Sequence, residues 1–518
     1  MNIAYLQTEN LKIFGEYVSV VFDGETEYTN LQLKQISDKM ASVLLKTGAK
    51  RGDHIAVLLP NSPEVLASYS AILKIGAVIT PLMFLIQPEE LLRIVRQGDI
   101  SYIITSKDLV WKIKEIEDKI DKLNVLLVDN GVVSSLSSKI NYWSFPEISK
   151  NVEPFEGFVD VKDSDDAILL FTSGTTGDPK GVILSHRNLH FNIEVLKIML
   201  EESGRLDEIY KGETALAALP LAHMYGIFLM FSGFIGKGRA VLLKWFDTKK
   251  IFENIQRWKV VAMAGVPTML AMLLYDPDKN KYDLSSMKYW GCAAAPLSEE
   301  LRQKFESTFP GQILQGYGLT ETAPMVSVER TNRPRKPGSV GIPIPKIEVK
   351  IIDDKGQALP PGEIGEICVK GENVMKGYYK MPDETRKAIV EGFLHTGDLG
   401  YLDNDGYLFV VDRKKDLIIR GGFNIIPSDV ENIFMKHPDI VECAVVGVSD
   451  EIYGEELKAF CVKRFGSQLT EEELRNYVKK YLAAHKVPKF VEFRDVLPKN
   501  PMGKILKRVL REEEGKKQ

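Results

Sequence analysis

Two rhythms of apolar and polar positions alternate through the first 400 residues. Ile55-Ala56-Val57-Leu58-Leu59 is a short apolar run of strand type. Asn61-Ser62-Pro63-Glu64 then predicts a helix start, with proline inside the first turn. The spacing predicts a helix over Val65 to Ile75, stopped at Gly76, a residue suited to the position just past a helix end. Ala77-Val78-Ile79-Thr80 is again strand-like, and the pattern returns at Tyr102 to Thr105 and Val125 to Val128. Such alternation predicts an α/β fold: stacked, mainly parallel sheets with helices outside them.

Near Lys346 the pattern changes. Glu348 to Asp353 and Gly365 to Val369 are strand-like and separated by the turn Leu359-Pro360-Pro361-Gly362. Gly400 to Leu402 and Tyr407 to Val411 flank Asn404-Asp405-Gly406, and Asp-Gly between apolar runs predicts a hairpin. These strands predict a small antiparallel region closing a large N-terminal domain. Past the charged stretch Arg413-Lys414-Lys415-Asp416 the order is strand, helix (Ser428 to Lys436), strand (Cys443 to Val448), strand (Leu457 to Val462), helix (Thr470 to Leu482), strand (Lys489 to Phe493). That predicts a small α+β C-terminal domain over residues 414–518, after an N-terminal domain over 1–413. The charged tail Arg511 to Gln518 is expected to fray.

Composition sharpens this only in places. A chain of 518 residues exceeds one ordinary core, so two or more domains follow. A hydrophobic share of 44% with 27% charged is that of a soluble globular protein. The net charge of −4 implies no strongly basic face for nucleic acid. Cys292, Cys368, Cys443 and Cys461 lie far apart in sequence without C-x-x-C spacing, which reads as buried free thiols in a reducing compartment. Met1 to Gly15 lacks a secretory pattern, and the most apolar stretch, Tyr225 to Gly236, is too short for a transmembrane helix. A cytoplasmic location is expected.

Candidate chemistry begins at Thr172-Ser173-Gly174-Thr175-Thr176-Gly177-Asp178-Pro179-Lys180-Gly181. Glycines let the backbone approach a ligand, successive N–H groups form an anion-binding concavity, and hydroxyls and lysine add donors. The segment reads as a polyphosphate cradle. It is not the P-loop, which needs Lys-Ser/Thr directly after its second glycine; here Asp178 and Pro179 intervene.

Four further segments stand out: Leu219-Pro220-Leu221-Ala222-His223-Met224-Tyr225-Gly226; Gln315-Gly316-Tyr317-Gly318-Leu319-Thr320-Glu321-Thr322; Gly392-Phe393-Leu394-His395-Thr396-Gly397-Asp398 on to Arg413 and Lys415; and Leu497-Pro498-Lys499-Asn500-Pro501-Met502-Gly503-Lys504. In this order the five segments resemble the adenylate-forming superfamily of acyl-CoA synthetases, luciferases and peptide-synthetase adenylation domains. The resemblance covers essentially the whole chain, and Gly392 to Lys415 looks most like the signature of fatty acyl-CoA ligases.

The resemblance implies a large N-terminal domain and a small mobile C-terminal one. The implied reaction joins a small-molecule carboxylic acid to coenzyme A, using ATP and Mg²⁺, through an acyl-adenylate. Lys504 is implied as the catalytic lysine of the adenylation half, Lys180 as a contact to the phosphates or departing diphosphate, and His223 as a group between the acyl carboxylate and ATP. Thr172, Ser173, Gly174, Thr175, Thr176 and Gly177 are implied in ATP binding, with Ala294, Ala295 and Pro296 beside the adenine. Gln315, Gly316, Tyr317, Gly318 and Thr320 join them, Tyr317 flanking the base and Thr320 the α-phosphate. Asp398 and Arg413 are implied at the ribose, and Glu321 with Thr172 at Mg²⁺. His223, Tyr225, Gly291 and Gly316 are implied in the acyl pocket, Lys415 as hinge, and Gly421 and Gly422 as the wall of the CoA channel. Related sequences often carry a lysine where Ile419 stands, and Arg420 is not an obvious replacement.

Within the family the alternatives are an aryl-CoA ligase of the 4-coumarate type and an enzyme loading a carrier protein. Outside it stand another ATP-dependent phosphotransferase and an inactive nucleotide-binding homologue. The sequence lacks Gly-Lys-Ser/Thr, Asp-Phe-Gly and His-Arg-Asp, which counts against the phosphotransferase. A homodimer occurs in relatives, so the resemblance leaves a homodimer open for this chain.

Overall fold

A computed structural model describes residues 1–130, 137–172, 179–499 and 504–515. The chain forms two compact units, Met1–Glu348 with Val369–Leu394, and Val349–Cys368 with His395–Gln518.

The first unit holds two large sheets. One has nine strands in the order Ile342–Pro343, Met325–Val328, Gln312–Gly318, Tyr289–Cys292, Ala262–Gly265, Thr214–Ala217, Arg239–Leu242, Val18–Phe22, Thr26–Thr29. Its middle, from Gln312–Gly318 to Val18–Phe22, is parallel, and both edges are antiparallel. The other has eight strands in the order Gly377–Tyr378, Lys180–Ser185, Asp166–Thr172, Val78–Leu82, His54–Leu58, Ile100–Thr105, Leu123–Leu127, Ile140–Ser144. It is parallel except at the Gly377–Tyr378, Lys180–Ser185 and Asp166–Thr172 end.

Strand parity explains why these apolar runs are continuous rather than alternating. Ile55, Val57, Tyr102 and Ile104 point into one core, which Val20 and Leu242 of the nine-stranded sheet also enter. Ala56, Leu58, Ile103, Val125 and Leu127 point into a second core on the opposite face. A sheet buried on both faces needs apolar residues at both parities. The helices Asn30–Lys46 and Pro63–Lys74 contribute Met40, Val43, Leu44, Ile72 and Leu73 to the first core. Asn30–Lys46 starts with a capping box in which Thr29 and Gln32 each satisfy the other's backbone N–H. Pro63–Lys74 starts at proline as predicted, and Gly76 follows it with φ +71°.

The second unit is α+β. The strands Phe393–Leu402 and Leu408–Arg413 form the expected antiparallel hairpin, with Asp398 opposite Arg413. A second sheet runs Phe423–Ile425, Ile418–Arg420, Gly454–Lys463, Ile440–Asp450, with Phe490–Arg494 parallel to Gly454–Lys463. Helices Pro427–Met435 and Glu471–Val478 cover it through Val430, Phe434, Leu474 and Val478.

Two expectations change here, and the reading of the cysteines as buried free thiols holds. The tail does not fray at Arg511: Lys507–Gly515 is a helix, anchored by buried Leu510 and by ion pairs from Arg511 to Asp416 and Glu513 to Arg494. The helix expected over Thr470 to Leu482 ends at Val478, with tight turns after it. Cys443 and Cys461, far apart in sequence, lie opposite each other on paired strands with their sulfurs 3.6 Å apart, unbridged and buried. Among the described residues, no helix is long and apolar enough to cross a membrane.

Candidate active site

Open parallel sheets bind ligands beyond the carboxyl ends of their strands. Three of four adjacent strands of the nine-stranded sheet deliver sequence-selected residues to one such edge. Thr214–Ala217 leads to His223 and Tyr225, Tyr289–Cys292 contains Gly291 and leads to Ala294, Ala295 and Pro296, and Gln312–Gly318 carries Gln315, Gly316, Tyr317 and Gly318. Ala262–Gly265, which lies between two of these, was passed over in the sequence because nothing in it carries chemistry.

His223 caps the helix Met224–Ser232, its Nδ1 accepting from the Tyr225 backbone N–H at 3.3 Å. The proton therefore sits on Nε2 and points away from the helix. The ring touches some solvent, yet protein surrounds it closely enough that burial pulls its pKa down to about 4. At neutral pH it is a neutral donor. A methyl group added at Gly291 would stand 3.0 Å from the Tyr225 hydroxyl and 3.4 Å from Ala264, so this glycine keeps space open. Ala294 has φ +71°, a left-handed backbone rare for alanine, of the kind that clusters at binding sites.

The Gln315 to Gly318 strand is fixed from behind. Buried Glu329 accepts from the Gln315 N–H at 2.8 Å and from Arg302 at 2.5 Å. Thr320, Glu321 and Thr322 form a short 3-10 turn next in the chain. Glu321 Oε1 accepts from the Tyr378 hydroxyl at 3.1 Å, and the Glu321 carbonyl accepts from the Met375 N–H at 2.9 Å.

Thr172 and Lys180 face each other across the hairpin Asp166–Thr172/Lys180–Ser185. Ser173, Gly174, Thr175, Thr176 and Gly177, which lie between them, fall outside the described residues. The Lys180 ammonium sits 5.0 Å from the Tyr378 ring centre and 2.6 Å from Glu384. Lys180 thus lies over the Tyr378 ring, and Glu321 accepts from its hydroxyl. Neither Tyr378 nor Glu384 was selected in the sequence. Both lie beyond Gly371 in a segment without a motif, and only the pairing of Gly377–Tyr378 with Lys180–Ser185 brings them here.

The second unit gathers Asp398, Arg413, Lys415 and Lys504. Asp398 is 4% exposed, and its carboxylate meets Arg413 Nε at 3.0 Å. Its turn is held by Thr396, whose hydroxyl donates to Ile367, and by buried Glu366, which accepts from the Gly397 N–H at 3.2 Å. Glu366 also escaped the sequence reading. Burial, with the Arg413 charge adding to it, pulls the Lys504 ammonium down to about 8, against an opposing pull from Asp398. Burial likewise lowers the pKa of Lys415. Lys414 is tied to Asp354 at 3.0 Å and Glu366 at 3.3 Å, while Asp416 is tied to Arg511.

Gly421 and Gly422, with φ +55° and +86°, make the two-residue turn between Ile418–Arg420 and Phe423–Ile425. Two successive positive φ values are what a type I′ hairpin turn requires. Ile419 is 55% exposed beside them. Arg420 is committed to Glu456 at 2.7 Å and to the His485 carbonyl at 3.0 Å.

The chain is similar to known proteins along most of its length. The AMP-binding enzyme family matches residues 8–379, and the AMP-binding enzyme C-terminal domain matches residues 429–504. A long-chain-fatty-acid–CoA ligase of Bacillus subtilis (strain 168) is 36% identical over 499 residues, covering 92% of this chain and 88% of that protein. The 4-coumarate–CoA ligase CCL1 of Humulus lupulus is 35% identical over 485 residues, covering 92% of this chain and 87% of that protein. The solved structure of o-succinylbenzoate coenzyme A synthetase from Bacillus subtilis, in complex with ATP and magnesium ion, matches with a TM-score of 0.83 at 28% identity, covering 98% of this chain and 99% of that one. With both family segments in order and the large one spanning most of its length, the chain belongs to the AMP-binding enzyme family.

Proposed function

We propose that this AMP-forming acid–thiol ligase activates a medium- or long-chain fatty acid. The acid and ATP give acyl-adenylate and diphosphate, and coenzyme A then gives acyl-CoA and AMP. The shared contact of Lys180 and Glu321 with Tyr378 is the observation that carries the nucleotide part. It supports reading Lys180 as the phosphate-binding cation and Glu321 as the carboxylate for magnesium.

Magnesium takes few protein oxygens and keeps waters and phosphate oxygens. Glu321 suits that habit, and no group of three or more His, Cys, Asp or Glu residues suited to a metal occurs among the described residues. Glu321 and Thr172 would hold the ion, which when bound supplies charge neutralisation on phosphate oxygens.

The remaining roles belong to the chain. His223, neutral with Nε2–H outward, donates to the acid's carboxylate and orients it. Asp398 accepts from the ribose hydroxyls, with Arg413 holding it. Lys504 offsets charge at the α-phosphate. Tyr225 and Gly291 shape the acyl pocket, and Gly421-Gly422 leaves a narrow path for the pantetheine arm. We also propose that residues 414–518 turn as a lid about Lys415. Its neighbours Lys414 and Asp416 are each anchored by ion pairs, which favours a pivot confined to Lys415. The proposal includes a cytoplasmic location, consistent with four unbridged cysteines, and a homodimer, to be read from solution mass.

The identities to the fatty-acid and 4-coumarate ligases differ by one percentage point, so an aryl acid is the second reading. Carboxylate-dependent exchange of labelled diphosphate into ATP, run without CoA on acids graded by chain length and on 4-coumarate, decides between them. Exchange should peak with medium or long fatty acids, and the complete reaction should release AMP rather than ADP. A higher kcat/KM for 4-coumarate would replace the fatty-acid reading, and silence with every acid would end the ligase reading.

A further inference from the structure

Glu384 lies in the first turn of the helix Pro382–Ala388 and pairs with Lys180. One oxygen of its carboxylate lies 2.6 Å from the Lys180 ammonium and the other 2.8 Å from the Lys387 ammonium. These two bonds, the Lys180 one first, hold the Glu384 carboxyl down at about 2, so it is ionised throughout the working range. Nearby, the Thr385 hydroxyl accepts from the Tyr378 N–H at 2.9 Å, fixing the helix to the strand over which Lys180 lies.

From this geometry we infer that Glu384 is a displaceable counter-ion of Lys180, occupying it as an anion until a polyphosphate takes its place. The inference rests on the reading of Lys180 as a phosphate contact. Two observations make the exchange easy. The Lys180 side chain is 19% exposed and that of Glu384 is 35% exposed, so the pair is not locked inside a low-dielectric core where separating it would be expensive. Lys387 also stays with Glu384 when Lys180 leaves, so the carboxylate is never left alone. The Tyr378 ring lies beneath the ammonium while its hydroxyl donates to Glu321, so a second group besides Glu384 holds Lys180 in place. Binding and release of diphosphate then become a trade of one anion for another.

Titration of magnesium diphosphate into the full chain by calorimetry tests this with Glu384→Gln, Glu384→Ala, Lys180→Ala and the double variant Glu384→Gln/Lys180→Ala. Losing a competing ion pair at a partly exposed site should tighten diphosphate by about twofold to fivefold in both Glu384 variants. KM for ATP should fall in parallel, and the Glu384→Gln effect should vanish in the Lys180→Ala background. Weaker binding in the Glu384 variants would mean that Glu384 orients Lys180 for phosphate, and unchanged binding would make it a bystander; either result overturns the inference. Lys180→Ala separates this from the underlying reading. If it binds diphosphate as wild type does, Lys180 is no phosphate contact, whatever Glu384 does.

Discussion

Lys504→Ala should lower carboxylate-dependent diphosphate exchange by about 10²- to 10³-fold, the cost of removing one preorganised charge from a developing oxyanion. Thioester formation from supplied acyl-adenylate and CoA should stay close to wild type, because the proposed turn about Lys415 takes Lys504 away from the α-phosphate before AMP leaves. The pH profile adds a second readout. Lys504 loses its proton near pH 8 instead of at the 10.5 of an ordinary lysine, because burial and then Arg413 disfavour its charge. Below pH 8 it is mainly the ammonium that adenylation needs; above pH 8 the neutral amine takes over. The kcat/KM of the exchange reaction should therefore fall through a basic limb near pH 8, since this parameter reports the free enzyme. Lys504→Arg keeps its charge far above that range and should lose the limb even if its rate is lower. Equal loss of both half-reactions in Lys504→Ala would remove Lys504 from the adenylation step. A limb that persists in Lys504→Arg would assign the titration to another group.

Much of the scaffold was legible because parallel sheets announce themselves locally. The Ile55 to Leu59 run, the Pro63 start and the Gly76 stop each depend on neighbours a few residues away, and each recurs in the fold. The sequence motifs also named positions that meet at one sheet edge, since residues after successive parallel strands share an end. What stayed hidden depends on long-range pairing. Glu384 meets Lys180 across 204 positions, and Glu366 reaches the Asp398 turn across 31. No periodicity records such partners. The tail was misread for a similar reason. Its charge density looked like solvation, but Arg511, Glu513 and Glu514 each have a partner elsewhere in the second unit, in Asp416, Arg494 and Lys458. The compact units differ from the division expected at Arg413 because compactness follows strand pairing, and Phe393–Leu402 pairs with Leu408–Arg413. A hinge follows where the chain turns, which contacts in one conformation do not mark.

Asp398→Ala should raise KM for ATP by about 10- to 100-fold, the equivalent of hydrogen bonds from ribose hydroxyls to a charged acceptor. A carboxylate 4% exposed is costly to keep unless something holds it, and Arg413 does so at 3.0 Å. The decisive comparison is ATP against 2′,3′-dideoxy-ATP. Wild type should discriminate strongly between them, and Asp398→Ala should discriminate little, because the acceptor that senses the hydroxyls is gone. A variant that still prefers ATP by the wild-type factor would place the ribose elsewhere. Asp398 acts on a second group as well. Its negative charge supports the protonated form of Lys504, while Arg413 opposes it. Asp398→Asn removes the support and leaves the opposition, so the Lys504 pKa should fall below about 8 and the basic limb should move to lower pH. The ammonium form would then be lost over a range where wild type still works. A variant that binds ATP weakly yet keeps the wild-type limb would confine Asp398 to the ribose. One that shifts the limb and loses discrimination would show a single carboxylate serving both the nucleotide and the charge on Lys504.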